Sequence, residues 1–407
     1  MNCRHCKKKL QHVFLDLGAA PPSNDYLSAE DLQKPARMFP LKLFVCDECW
    51  LVQTEDYAAA DDLFRPDYAY FSSVSSGWLK HAANYAGMIT KRLALDAQSF
   101  VVELASNDGY LLRNFVAAGI PCLGVEPTDA TADAAEKLGI PVLRAFFGEA
   151  LGNRLAADGK AADLIIGNNV YAHVPDINDF TKGMKKLLKS GGTITLEFPH
   201  LMQLIAQNQF DTVYHEHYSY LSLQTVARIF AAAGLRVCDV ETLPTHGGSL
   251  RVYGCHADDP RADSPAVAAM LQQEKDFGLQ KLETYTSFQP KADKVRDDLR
   301  AFLKEQIAAG KTVAAYGAAA KGNTLLNYAG VTADMIPFVC DAAPSKQGKF
   351  MPGSRIPILP PAAMAEKKPD WVLILPWNIA PEVVAQQKDI TNWGGKFIVA
   401  VPKMEIL

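Results

Sequence analysis

The chain has 407 residues, 49% hydrophobic and 21% charged, with a net charge of −4 at pH 7. That length exceeds what one compact core holds and predicts two or three domains. The slight acidity leaves no electrostatic footprint for nucleic acid, and no apolar run reaches the roughly 18 residues of a membrane span.

Met1 leads straight into NCRHCKKK, which lacks the apolar core of a secretory signal. Of the eight cysteines, four are tightly paired, and Cys122, Cys238, Cys255 and Cys340 are scattered singly. Scattered thiols suit a reducing compartment, so a cytoplasmic protein is expected, and a monomer.

Residues 1–75 carry the paired cysteines, several aromatics and few periodic runs. Cys3-x2-Cys6 and Cys46-x2-Cys49 bring four thiolates within tetrahedral reach, which is how a structural zinc is held. Neither pair opens a helix after a strand, as a redox Cys-x-x-Cys would. His5 and His12 lie nearby, but four cysteines already complete a closed shell.

From 76 to 258 strand-like and helix-like runs alternate: FVVEL (100–104), GYLLRNFVAAG, CLGVE (122–126), TADAAEKLG, ADLIIG (162–167), DINDFTKGMKKLLKSGG and TITLEF (193–198). Such alternation predicts a parallel sheet with crossover helices. The closing runs LRVCDVE (235–241) and SLRVYGC (249–255) are candidates for an antiparallel pair. Residues 259–310 read as a charged helical connector without a special role. A second strand–turn–helix unit, TVAAYGAAAKGNTLLNYAG, starts the smaller α/β region that completes 259–407, with strands at MIPFVCD and DWVLILPWN.

The first sheet's turn, ELASNDGYLL, decides the cofactor. A dinucleotide needs glycines so that backbone can touch pyrophosphate at a helix N-terminus, and Ala105 and Asn107 are poor for that. S-adenosylmethionine has no phosphate. Glu103, Asn107 and Asp108 suit its cationic sulfonium and amino acid, with Gly109 permitting the turn, and Glu126 is placed to accept the ribose hydroxyls. Asn168, Asn169 and His173 emerge at the next strand end, where doubly wound sheets bind ligands.

The cysteine quartet, ELASNDGYLL, NNVYAHVPD, YHEHYSYLS, LPTHGGSLR, YGAAAKGNTLLNYAG and CDAAPSKQGKFMPG follow in that order. Together they resemble the S-adenosylmethionine-dependent sugar C-methyltransferases of the tetronitrose type, which act on nucleotide-linked 4-keto-deoxysugars. The resemblance spans essentially the whole chain. It implies a Rossmann-like methyltransferase core (76–258), a small N-terminal zinc-binding domain (1–75) and a second Rossmann-like α/β domain (259–407) that helps bind a nucleotide sugar, with dTDP expected as the nucleotide. Whether C3 or C5 receives the methyl is not legible.

Methylation beside a ketone needs a base to remove the alpha proton, and an imidazole with reference pKa about 6.5 suits that task at neutral pH. In YHEH, an extended backbone puts Tyr214 and Glu216 on one face and His215 and His217 on the other. A turn brings Tyr214 onto His217. Similar enzymes imply His217 as the base, with Glu216 orienting its ring and Tyr214 at the sugar or its oxyanion. His173 is assigned to the sugar, Asn169 to the cofactor, and Tyr68 and Tyr70 to closing over the site. His81, His200 and His215 read as structural, and His246 in THGG has no derivable role. H-E-H lacks a second ligand set for a catalytic metal. Lys321, at a helix N-terminus in GAAAKG, favours phosphate, with Lys346 and Lys349 adding charge. The rival reading is a nicotinamide-dependent nucleotide-sugar oxidoreductase or epimerase. It fits this G-x-A-x-x-G turn poorly and lacks a Tyr-x-x-x-Lys pair on the domain's helix.

Overall fold

The computed structural model describes residues 1–55, 57 and 71–407. Three sheets organise them. The first begins as an antiparallel meander of β1 (His12–Ala20), β2 (Phe39–Val45) and β3 (Val52–Thr54). Alternation in β2 turns Leu41, Leu43 and Val45 inward. Its fourth strand, β9 (Ser219–Tyr220), comes from far downstream and pairs Tyr220 with Val52 and Ser219 with Gln53. The stretch holding YHEH is therefore stitched to the cysteine-bearing sheet.

The second sheet has the order β10-β11-β8-β7-β4-β5-β6. Its parallel part is β4 (Val101–Leu104), β5 (Cys122–Val125), β6 (Val142–Leu143), β7 (Ala162–Asn168) and β8 (Leu188–Pro199). Every residue of β4 is buried because helices cover both faces. As expected, β10 (Leu235–Leu243) and β11 (Ser249–His256) pair antiparallel, and β11 runs antiparallel to β8. One expected element is shorter than the sequence suggested. The helix after β7 covers only Ile177–Leu187, and β8 takes over at Leu188. Pairing of Leu188 with Ala162 captures the segment for the sheet, and a register shift before Leu164 and Thr193 absorbs the glycines.

The third sheet, β14-β13-β12-β15-β16-β17, is parallel through β14 (Ile358–Leu359), β13 (Val339–Cys340), β12 (Val313–Tyr316), β15 (Trp371–Ile374) and β16 (Lys396–Val399). Its last strand, β17 (Glu405–Ile406), is antiparallel. Strand order reverses at β4 and β7 in the second sheet and at β12 and β15 in the third, which opens a crevice above each pair.

The connector does more than the sequence suggested. Of its helices, Leu282–Thr286 and Gln289–Ala308, with Phe288 between them, supply Tyr285, Phe288 and Leu299 to a core shared with the first and third sheets, while Pro265–Phe277 packs Val267 and Met270 into the core of the second. Glu274 is fully buried, bonded to His200 Nε2 at 2.8 Å. It also accepts the backbone N–H groups of Leu223 and Gln224 at 2.6 and 2.9 Å, so a carboxylate from the connector caps the helix Leu223–Ala232. Periodicity shows a helix here but not what one of its acids grips. Among the described residues no helix is long and apolar enough to cross a membrane.

Candidate active site

At the end of β4 the chain turns sharply through Ala105, Asn107 and Gly109, all at positive φ. Asparagine tolerates that region. At Gly109 (φ 76°) a Cβ would sit 2.3 Å from Ile140 Cδ1 and 3.1 Å from Ala135 Cβ, so any side chain there would force its neighbours to shift. The turn is pinned from both sides. Asn107 N–H donates to Glu126 Oε2 at 2.8 Å, while Asn107 Oδ1 accepts from Ser72 N–H at 2.9 Å. Glu126, just past β5, also accepts from the N–H and hydroxyl of Thr128 through Oε1. Two carboxylate oxygens offer about four acceptor sites, so capacity remains for a ligand.

Several buried polar atoms around this crevice have no protein partner: Glu103 Oε2, Asp108 Oδ1 and both amide atoms of Asn168. Burial, with Glu126 and Asp108 beside it, pushes the Glu103 carboxyl well above its ordinary range. Such a collection fits a cationic, hydrogen-bonding ligand such as S-adenosylmethionine. Asn169, left-handed at φ 53°, gives its N–H to the Glu197 carbonyl at 2.7 Å. Its side-chain nitrogen lies 3.4 Å from His246 Nε2.

YHEH adopts the turned form, with His217 N–H donating to the Tyr214 carbonyl at 3.0 Å. The Tyr214 and His217 rings are 4.0 Å apart, and the His173 ring meets His217 edge-on at 4.6 Å. His217 Nδ1 is 3.0 Å from the Thr212 carbonyl. A carbonyl only accepts, so Nδ1 carries the proton and Nε2 keeps a lone pair. Burial lowers the His217 pKa well below the usual imidazole value, and His173, His246 and Lys321 add to the effect. Burial holds His173 at about 4. Both rings are neutral at pH 7.

One expectation needs correction. Glu216 does not orient the His217 ring. Both its oxygens accept from Asn24 Nδ2 at 2.8 Å, and the Thr212 carbonyl holds His217 instead. In the turn after β12, one N–H is already engaged: the Asp341 carboxylate takes that of Ala318 at 2.6 Å. The two lysines have different surroundings. Lys321 Nζ donates to Asn378 Oδ1 at 2.7 Å over the Trp377 ring. Lys346 donates to the Ala318 carbonyl at 2.8 Å over Tyr26.

Sequence reasoning missed Asn24, Thr212, Asp211 and Trp377. Trp377 Nε1 donates to Asp211 at 2.7 Å, and burial raises the Asp211 carboxyl to about 6 despite nearby Lys321. Trp377 and Asn378 follow β15 at the switch point of the third sheet, so the strand-end rule that found Asn168 had the means to find them. His81, His200 and His215 do have structural partners: Glu197, Glu274 and the Pro40 carbonyl. Tyr68 and Tyr70 lie outside the described residues.

The four expected thiols converge, with all Sγ atoms within 4.8 Å of one another, and Cys3–Cys49 and Cys6–Cys46 each at 3.5 Å. Zn–S bonds of about 2.3 Å put tetrahedral sulfurs roughly 3.8 Å apart, so the quartet fits a closed structural zinc. No disulfide links them.

This sheet order, with acids and amides rather than a glycine cradle at its switch point, defines an S-adenosylmethionine-dependent methyltransferase. Family models match accordingly: "Putative zinc binding domain" over residues 3–64, "Methyltransferase domain" over 78–240 and "C-methyltransferase C-terminal domain" over 244–402. The C-methyltransferase NovU of Streptomyces niveus is 36% identical over 405 residues, which cover 100% of this chain and 96% of NovU. The uncharacterized methyltransferase ML2584 of Mycobacterium leprae is 31% identical over 98 residues, 24% of this chain and 36% of its own. The solved structure of PH0226 protein from Pyrococcus horikoshii aligns with TM-score 0.38 and 13% identity over 46% of this chain and 95% of that one. The chain belongs to the NovU-like C-methyltransferases.

Proposed function

We propose that this C-methyltransferase acts on a nucleotide-linked 4-keto-deoxysugar, with dTDP as the nucleotide, and methylates the carbon alpha to its ketone. In this reading residues 1–75 carry the metal, 76–258 the methyl donor and 259–407 the nucleotide sugar. Glu103, Asn107, Gly109, Glu126, Asn168 and Asn169 would hold S-adenosylmethionine, which supplies an electrophilic methyl carbon.

The observation that carries the proposal is the 3.0 Å contact between His217 Nδ1 and the Thr212 carbonyl, which assigns the ring proton to Nδ1. The ring presents a bare Nε2 in a buried, neutral state, beside a second neutral histidine and above the strand ends that carry the cofactor residues. Nε2 would take the alpha proton, leaving an enolate; bound S-adenosylmethionine would supply the methyl group, its S–CH3 bond breaking to release the neutral thioether as the new C–C bond forms. A positioned base contributes about 10²–10⁴-fold. The His173 and Tyr214 rings contact that of His217, and both residues are assigned to the sugar's oxygens. Lys321 brings an ammonium whose charge acts on His217, on the side where enolate charge or the diphosphate needs a cation. Lys346, over the Tyr26 ring, is assigned to the substrate as well.

The test is a panel of keto nucleotide sugars incubated with S-adenosylmethionine in heavy water. One of them should gain a methyl and, with the donor omitted, exchange its alpha proton. Neither event across the panel, or reduction of a nicotinamide instead, would remove the reading.

A further inference from the structure

His173 and His217 come from separate loops, yet their rings must hold a fixed relation for proton transfer. The residue that joins those loops lies in neither. Arg4 sits between the ligand positions Cys3 and Cys6 and is only 7% exposed. Its three guanidinium nitrogens take three different carbonyls. Nε donates to Tyr218 O at 3.3 Å, NH1 to Pro175 O at 3.0 Å and NH2 to Thr54 O at 2.9 Å. Tyr218 is the residue after His217, and Pro175 follows His173 by two. The guanidinium also lies over the Tyr218 ring, 4.9 Å from its centroid.

Other bonds run the same way. Arg4 N–H donates to Gln53 Oε1 at 2.8 Å, and Gln53 Nε2 reaches back to Cys3 Sγ at 3.3 Å. Thr54 N–H donates to Tyr218 O at 3.2 Å, and the Thr54 hydroxyl contacts His217 O at 3.4 Å. On the other loop, Asn178 Nδ2 donates to the carbonyls of Arg4 and His5, at 3.3 and 2.9 Å. Asn178 belongs to the first turn of the helix Ile177–Leu187, which begins directly behind the His173 loop.

We propose that the cysteine knuckle is a positioning device for the two histidines, and that Arg4 is its positioning residue. A divalent cation on four thiolates leaves net negative charge, which favours a buried guanidinium beside it. The metal fixes residues 3–6, Arg4 fixes three carbonyls, and these set where His173 and His217 stand. The planar fork reaches the three carbonyls from three separate nitrogens, whereas a lysine would have to meet them from a single one, so lysine is not equivalent. The catalytic part of this inference rests on His217 being the base; the geometric part does not.

The test uses the full zinc-loaded chain with Arg4→Ala, Arg4→Lys and the milder Asn178→Ala. Zinc stoichiometry and calorimetric affinity for S-adenosylmethionine should stay as in the parent. Turnover and alpha-proton exchange should fall together, by about 100-fold for Arg4→Ala, as displacement of a catalytic group by about 1 Å can do. Added guanidinium should restore part of the Arg4→Ala loss and none of the Arg4→Lys loss. The readout independent of activity is the ring NMR of His173 and His217, where both signals should move in Arg4→Ala and return with guanidinium. Unmoved ring signals, or unchanged turnover in an active enzyme, overturn the proposal. If Arg4→Ala does not fold, the same shifts are sought in Asn178→Ala, and their absence is equally decisive. Shifted, guanidinium-restored rings in an enzyme whose His217→Asn variant still exchanges the proton would keep the positioning device and remove the base assignment.

Discussion

The second and third sheets solve one problem with opposite outcomes. In each, an acid at the end of the second strand reaches across to a backbone N–H in the turn after the first: Glu126 to Asn107, and Asp341 to Ala318. Around Glu126 the crevice keeps uncommitted atoms on Glu103, Asp108 and Asn168. Around Asp341 the polar groups are engaged. Its second oxygen takes the Ala343 N–H, Lys346 holds the Ala318 carbonyl, and Tyr26 donates to that carbonyl as well at 2.5 Å. Alike folds thus differ in how many of their polar groups are committed: the third sheet's unit holds Ser23 and Tyr26 of the N-terminal segment, while Lys321 and Trp377 lie beside Asp211. Repetition of a fold does not imply repetition of its ligand.

The largest effect should come from the seam between these sheets. His217→Asn should fold and bind cofactor, yet lose about 10²–10⁴ in turnover together with alpha-proton exchange. Tyr214→Phe keeps the ring against His217 and should lose less. Exchange lost in the tyrosine variant and kept in the histidine variant would transfer the base to Tyr214.

The next contrast sets one sheet against the other. Hydrogen bonds to a charged acceptor contribute about 1.5–3 kcal/mol each, so Glu126→Ala should weaken S-adenosylmethionine binding by well over tenfold. Lys321→Ala should leave that affinity alone and raise the Michaelis constant for the sugar. Calorimetry and initial rates on both variants separate the sites; crossed effects would mean that the sheets share a ligand.

The smallest effect is on stability against pH. His173 and His246 are held at about 4 by burial, against 6.5 when exposed. Between those values the unfolded chain binds more protons, so both subtract stability as pH falls from 6.5 toward 4. Asp211 has the opposite sign. Its carboxyl is raised from 3.8 to about 6, so the folded chain takes that proton first and gains stability over the same fall. Asp211→Asn should therefore steepen the acid-side drop in melting temperature by a few degrees, on the order expected for about 1 kcal/mol. An unchanged slope would place Asp211 in a more solvated setting.

What was legible in the sequence depended on how local its cause is. Cysteine spacing announced a metal quartet because two residues of separation are enough to form a knuckle. Strand–helix alternation gave both parallel sheets, and strand ends pointed to Asn168, Glu126 and His173. The turned form of YHEH was one of two options, and the choice between them belongs to Thr212 and to the pairing of β9 with β3, which no local pattern encodes. Glu216 was misread because its partner, Asn24, lies in a distant proline-flanked loop. Glu274 lies in a connector that reads as a charged helix without a special role, and its task of capping another helix depends on a tertiary contact.

The late arrival of β9 has a consequence for synthesis and for engineering. Until Ser219 and Tyr220 emerge, β3 is a bare sheet edge with unpaired N–H and C=O groups, the kind of template that recruits other chains. The cysteine-bearing segment can take up its ion early but cannot finish its sheet early, because that closure joins residues with most of the methyltransferase sheet between them. Long-range closure of this kind is slow. A fragment cut after residue 75 should be a sticky, aggregating species rather than a miniature domain, and grafting this segment onto another enzyme would require transplanting the histidine turn with it.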